Sequence, residues 1–161
     1  LAELLIQVRL LLGVHIRLTQ CKLVMTIAIC GSLSFHRDMR RIQRALETLG
    51  HKTIVPKSLR LIESEGFQKP RTVSERLAAE AKYDFIREHF RNIEQSDVIL
   101  VVNPKHHKIA GYIGGNTFLE MGIAFYLGKT IYLLNPIPRM DYELELAAMH
   151  PVVLSGDLTR I

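Results

Sequence analysis

The chain has 161 residues, enough for one domain with a sizeable core and too few for two ordinary ones. Apolar residues make up 48% and charged residues 23%, a globular balance that excludes intrinsic disorder. The net charge of +5 is mildly basic, but Lys and Arg are dispersed and no aromatic residues interleave with them. Nucleic-acid binding is therefore not expected; a phosphorylated small molecule, or solubility alone, accounts for the charge equally well.

Residues 1–24 read as an N-terminal extension, and residues 25–161 as a single α/β domain. The opening run is apolar but broken by Arg9, His15, Arg17 and Lys22, too interrupted to span a membrane. It also lacks the clean apolar centre and small-residue cleavage site of a signal peptide. A helix packed on the surface or on a second subunit is the alternative. Cys21 and Cys30 have no disulfide-type spacing, so a reducing, cytoplasmic setting is expected.

From Val24 the pattern becomes regular. "VMTIAICG" is a short apolar run ending in glycine, the signature of a strand buried on both faces. In "FHRDMRRIQRALETLGHK" the residues Met39, Ile42, Leu46 and Leu49 form one helical stripe, with Gly50 as its C-terminal cap. "KTIVP" reads as a second strand and "KSLRLIESEGFQKPRTV" as a loop or a broken short helix. Residues 72–95 read as one long helix with Val73, Leu77, Phe85 or Ile86, Phe90 and Ile93 inward. "DVILVVN" is a third, nearly pure apolar strand, followed by the long loop "PKHHKIAGYIGG". A helix over 116–127 closes at Gly128, "KTIYLLNP" is a fourth strand, residues 140–148 a short helix, and "PVVLSG" a last strand. Strands alternating with helices predict a doubly wound α/β fold (Rossmann- or flavodoxin-like), with a parallel sheet of about five strands and helices on both faces.

In such sheets ligands collect beyond the carboxyl ends of the strands, where loops run into helix N-termini. "CGSLS", "NPKHHKIAGYIGGNT" and "NPIP" occupy those positions and are rich in small residues, which suits a polar, oxygen-rich or phosphorylated ligand. Glu120 is the principal chemical candidate. It lies about one turn inside an apolar helix, and burying a carboxylate without a partner is costly. Either it is a solvated charge near the positive helix end, or it faces a pocket as a nucleophile or ribose ligand.

Gly31, Ser32 and Ser34 fit a phosphate cradle or a turn and cap, without a complete dinucleotide or P-loop fingerprint. Asn116 and Thr117 are candidate helix caps that can also contact a ligand. Asp97, at the amino end of its strand, reads as structural. His89, alone on a helix, is ordinarily a surface or packing residue. His106 and His107 lack matching carboxylate or cysteine spacing, so no metal site is expected there. Arg37, Arg40, Arg41 and Arg44 read as a solvated helix face, with Arg37 close enough to the helix start to touch a phosphate.

Taken together, "AICGSLS", "IEQSDVILVV" and "GGNTFLEMGIAFYLGKTIYLL" resemble the nucleoside 2-deoxyribosyltransferase superfamily, which includes 2'-deoxynucleoside 5'-phosphate N-hydrolases. The most specific part is Gly115, Thr117, Glu120, Gly122, Ala124, Gly128 and Lys129, in a G-x-T-x-x-E-x-G-x-A-x-x-x-G-K pattern. The resemblance covers roughly residues 25–138. It implies a homodimer or higher homo-oligomer that cleaves the N-glycosidic bond of a nucleoside or nucleotide, with no metal or organic cofactor and no membrane association. It makes Glu120 the nucleophile on the anomeric carbon, with chemistry like that of retaining glycosidases.

Two positions depart from the pattern. His89 stands where the family carries an aspartate eight residues before Asp97, and takes over the acid–base or orienting role. Gly114 stands where transferases have an aspartate and nucleotide hydrolases a serine, which favours hydrolysis over base transfer. The expected substrate contacts are Gly31, Ser32, Ser34, Asn103, Tyr112, Gly114, Gly115 and Asn116. Tyr112 can stack on a base or replace the missing polar contact. Asp141, Tyr142 and Glu145 are the segment expected to complete a partner's pocket.

Overall fold

The computed structural model describes residues 23–161. The extension expected over residues 1–24 therefore lies, up to residue 22, outside the described residues. Five strands form one sheet: β1 (Thr26–Cys30), β2 (Lys52–Ile54), β3 (Val98–Val101), β4 (Thr130–Leu133) and β5 (Val152–Val153). All pair in parallel, in the order β2-β1-β3-β4-β5. Ala28 faces Ile99 and Ile99 faces Ile131 across the central strands. The chain reverses its direction of winding between β1 and β3, so the crevice of this doubly wound fold opens at their carboxyl ends.

The strand alternation splits the core in two, as expected when both faces of a parallel sheet are covered. Ile27, Ile29, Val98 and Leu100 face one layer, where α1 (His36–Thr48) contributes Met39, Ile42 and Leu46 and α2 (Lys57–Glu65) contributes Leu59. Ala28, Cys30, Ile99 and Val101 face the other. There α4 (Phe85–Glu94) contributes Ile93, α5 (Gly115–Tyr126) contributes Met121 and Ala124, and α6 (Glu143–Ala148) contributes Leu146.

One expectation left open is resolved and one is corrected. The stretch after β2 contains a true helix, α2, whose Leu59 and Leu61 are buried and which Gly66 ends in the left-handed conformation (φ 64). The single helix expected over 72–95 is two: α3 (Val73–Tyr83) and α4 meet at Asp84, itself left-handed at φ 52. Aspartate tolerates that conformation better than most residues, and its amide still donates to the Glu80 carbonyl at 2.8 Å. The break turns α3 off the sheet, so Val73 and Leu77 are exposed, not inward, at 72% and 66%. Its start is nonetheless well made: Thr72 and Glu75 form a reciprocal capping box. Freed of α3, the short α4 lays His89 and Ile93, one turn apart, onto the sheet.

No helix among the described residues is long and apolar enough to cross a membrane.

Candidate functional site

Three polar side chains from three elements meet inside the second core layer. Cys30 is the last residue of β1, His89 lies on α4 and Glu120 on α5. The Cys30 Sγ is 3.5 Å from His89 Nε2, which is 3.9 Å from Glu120 Oε1. The sequence dictates each placement. Alternation along β1 puts Cys30 on the same face as Ala28, and α4 turns His89 inward with Ile93. On α5 the buried stripe is Thr117, Glu120, Met121 and Ala124, so the glutamate occupies a position that core packing would give to a leucine. Residual exposures of 0% for Cys30, 2% for His89 and 9% for Glu120 decide between the two readings of this glutamate: it faces inward.

Burial sets the charge of all three groups. It pushes the Glu120 carboxyl up to about 8, with the Cys30 thiol and the Gly31 amide pulling weakly the other way. The Glu120 Oε2 atom is buried and has no hydrogen-bond partner of normal geometry. Burial likewise lowers His89 to about 4, against the opposing effects of Glu88 and the Ile29 carbonyl. The Asn92 side-chain amide lies 3.4 Å from His89 Nδ1 and orients the ring. Burial, and then the neighbouring Glu120, raises the Cys30 thiol well above its ordinary value. At neutral pH the trio is therefore a carboxylic acid, a neutral imidazole and a thiol. A thiolate–imidazolium pair of the kind used by cysteine nucleophiles is disfavoured by the same desolvation.

The other candidates fall around this centre in distinct ways. Gly31 continues directly from Cys30 with φ 157, and a Cβ there would stand 3.0 Å from the Val102 carbonyl. Ser32 caps a single 3-10 turn, Leu33–Phe35, accepting from the Ser34 amide at 3.3 Å. That is the turn-and-cap arrangement, and Lys69 joins it by donating to the Ser34 hydroxyl at 2.5 Å. Tyr112 packs edge-on to Phe35 and His106, with centroids 6.4 and 5.1 Å away. Its hydroxyl lies 3.8 Å from where a Cβ on Gly114 would be. The tyrosine thus brings an oxygen close to the position from which an aspartate or serine side chain would start.

Gly114 is the N-cap of α5 and no side chain caps the helix, which leaves its first-turn amides open. Gly115 and Asn116 are exposed within that turn and Thr117 is buried there, so Asn116 and Thr117 are helical residues and not caps, which corrects that expectation.

Asn103 is fully buried and spent on the chain itself. Its Nδ2 donates to the carbonyls of Gly111, Asn135 and Pro136 at 3.1–3.3 Å, and its Oδ1 accepts from the Asn135 amide at 2.9 Å. Tyr142 packs on Phe118 of its own chain, stacked at 4.7 Å, and donates to the Ile113 carbonyl. Asp97 accepts from the Thr26 amide at 2.7 Å, the structural role expected of it. Arg40, read as part of a solvated face, pairs with Glu63 at 2.5 Å.

Beyond the ends of β3 and β4 lies an open cleft of about 640 Å³ whose rim carries Lys105, Lys108 and Arg139. Sequence reasoning identified its loops without those cations. It also passed over Cys30 as a site residue, although the alternation of "AIC" and the glycine after it place Cys30 at the crevice end of a buried strand.

The fold and site define a doubly wound α/β protein with an uncharged acid–imidazole–thiol centre at the switch point of its sheet. No family model matches the chain, and no curated protein matches it.

Proposed function

We propose that this protein cleaves the N-glycosidic bond of a nucleoside or nucleoside 5'-monophosphate, by hydrolysis and not by base transfer, with Glu120 as nucleophile. The observation that carries the reading is the unpartnered, desolvated Oε2 of Glu120. A desolvated carboxyl group without a counter-charge, once its proton has left, gains most from a ligand that develops positive charge beside it. The oxocarbenium-like transition state of glycosidic cleavage is such a ligand, and a neutral ground-state sugar is not.

The resting protonation states supply the proton balance. Attack of Glu120 oxygen on the anomeric carbon forms a C–O bond as the C–N bond breaks. The proton that Glu120 carries passes to the departing base, and His89, at 3.9 Å from Oε1 and so outside direct hydrogen-bond reach, takes the orienting role. Water then attacks the anomeric carbon, and Glu120 recovers a proton as it leaves. The open amides of α5 and the Gly31–Ser34 turn suit a phosphate or sugar hydroxyls, and Tyr112 suits a base. The exposed apolar side chains Leu119, Phe125 and Tyr126 of α5 suit association into a homo-oligomer. The free thiol of Cys30 suits a reducing, cytoplasmic setting.

A second reading, a nucleotide-binding or sensing protein with little turnover, is favoured by the protonation of Glu120 at neutral pH, since a carboxylic acid is a poor nucleophile. The test is chromatographic detection of free base. Wild type and Glu120→Ala are incubated with nucleosides, 2'-deoxynucleosides and their 5'-monophosphates. Base released by wild type alone supports the glycosidase. Measurable nucleotide binding without released base supports the sensor.

A further inference from the structure

We propose that Cys30, His89 and Glu120 together bind one divalent cation of the zinc class, and that its occupation withdraws Glu120 from catalysis. The switching half rests on the glycosidase reading above; the binding half stands without it.

The geometry points to a metal for four reasons. One ligand atom from each residue lies within 4.8 Å of the others, and all three residues are buried. The Cys30 Sγ to His89 Nε2 distance of 3.5 Å equals the roughly 3.5 Å edge that Zn–S of about 2.3 Å and Zn–N of about 2.0 Å subtend in a tetrahedron. The His89 Nε2 to Glu120 Oε1 distance of 3.9 Å exceeds the corresponding N–O edge by about half an ångström, which a small torsion of the glutamate closes. Finally, Glu120 Oε2 is a buried, orphaned polar atom of the same carboxyl group. A cation satisfies it where no protein donor does.

The donor set names the class of ion. Sulfur and imidazole nitrogen with a single carboxylate select zinc-like borderline cations, whereas magnesium and calcium require oxygen. The three ligands sit on β1, α4 and α5, elements that the core already fixes, and Asn92 orients the imidazole from its far nitrogen. Three protein ligands leave a fourth position for water. On binding, Cys30 gives its thiol proton to solvent, and Glu120 gives up its carboxyl proton where it carries one. The metal-bound carboxylate then has its lone pairs and charge committed, so it no longer serves as a nucleophile.

The experiment is an anaerobic titration of chelator-treated protein with cobalt(II), a coloured stand-in for zinc. One equivalent should produce a thiolate-to-cobalt charge-transfer band and the strong visible bands of four-coordinate cobalt. Cys30→Ser should abolish the charge-transfer band, while Cys21→Ser, at the other cysteine of the chain, should leave it. Glu120→Gln and His89→Gln should each weaken binding about tenfold or more. Absence of the band, or a band that survives Cys30→Ser, overturns the site. Should Cys30→Ser fail to fold, unchanged affinity in the other two variants overturns it instead. Zinc should suppress base release and a chelator restore it, and full release at saturating zinc overturns the switch. A cobalt band from a protein that releases no base from any nucleoside or nucleotide upholds the site and overturns the glycosidase reading.

Discussion

The Nε2 of His89 lies 3.9 Å from the Oε1 of Glu120, and both side chains are largely out of water, the histidine at 3% exposure and the glutamate at 12%. Two titratable groups of opposite type thus stand face to face with neither ionised at neutral pH, because desolvation opposes both charges and the pair is too far apart to hydrogen-bond. Their costs to the fold run in opposite directions with pH.

Glu120 should make the metal-free protein less stable as pH rises. Its folded value, about 8, is above its ordinary 4.5, so the contribution is intact below pH 4.5 and is lost progressively as pH climbs through 8. Glu120→Gln removes this titration. Urea denaturation in the presence of chelator, from pH 5 to pH 8, should show the variant gaining on wild type by on the order of 1 kcal/mol per pH unit. A difference independent of pH would refute the assignment.

His89 behaves the other way round. Its folded value of about 4 is below the ordinary 6.5, so its contribution is intact above pH 6.5 and is lost as pH falls through 4. In a proton NMR titration of chelator-treated protein, the ring resonance assigned by comparison with His89→Gln should stay at its neutral position down to about pH 5. A midpoint near 6.5 would mean that water reaches the ring.

Gly111 should be irreplaceable for the cleft. It holds φ 69, and an added Cβ would lie 2.3 Å from the Pro136 carbonyl oxygen. Left-handed strain and the clash together put Gly111→Ala at a cost on the order of 3 kcal/mol. Gly50, at φ 93 with nothing within 4 Å of an added Cβ, isolates the backbone part alone. Gly50→Ala should therefore cost clearly less in a parallel denaturant series; equal losses would mean that the Pro136 contact relaxes freely.

How much of this was legible beforehand depended on how local each signal is. The run "VILV" is apolar at every position, and its identity as a central strand follows directly. Glu120 was legible because a carboxylate in the inward stripe of α5 conflicts with packing, and such conflicts mark sites. The break at Asp84 was not. Val73 and Leu77 continue the apolar spacing of a longer helix, and what interrupts it is one left-handed residue stabilised by its surroundings. The helix α2 stood only as one of two readings of its stretch, because its two buried residues, Leu59 and Leu61, are two apart and trace no helical stripe. The distances among Cys30, His89 and Glu120 are set by how α4 and α5 pack on β1, a relation that no spacing within one segment contains.

The side chain of Asn103 has a mechanical consequence. By bonding the carbonyls of Gly111, Asn135 and Pro136, while Asn135 Nδ2 returns a bond to its own carbonyl, it rivets the loop after β3 to the loop after β4. Those loops are the two walls of the cleft that carries Lys105, Lys108 and Arg139. They form a rigid vise and not a pair of jaws. The spacing between those walls is thus set by one buried side chain, bonded directly to three of the residues that line them.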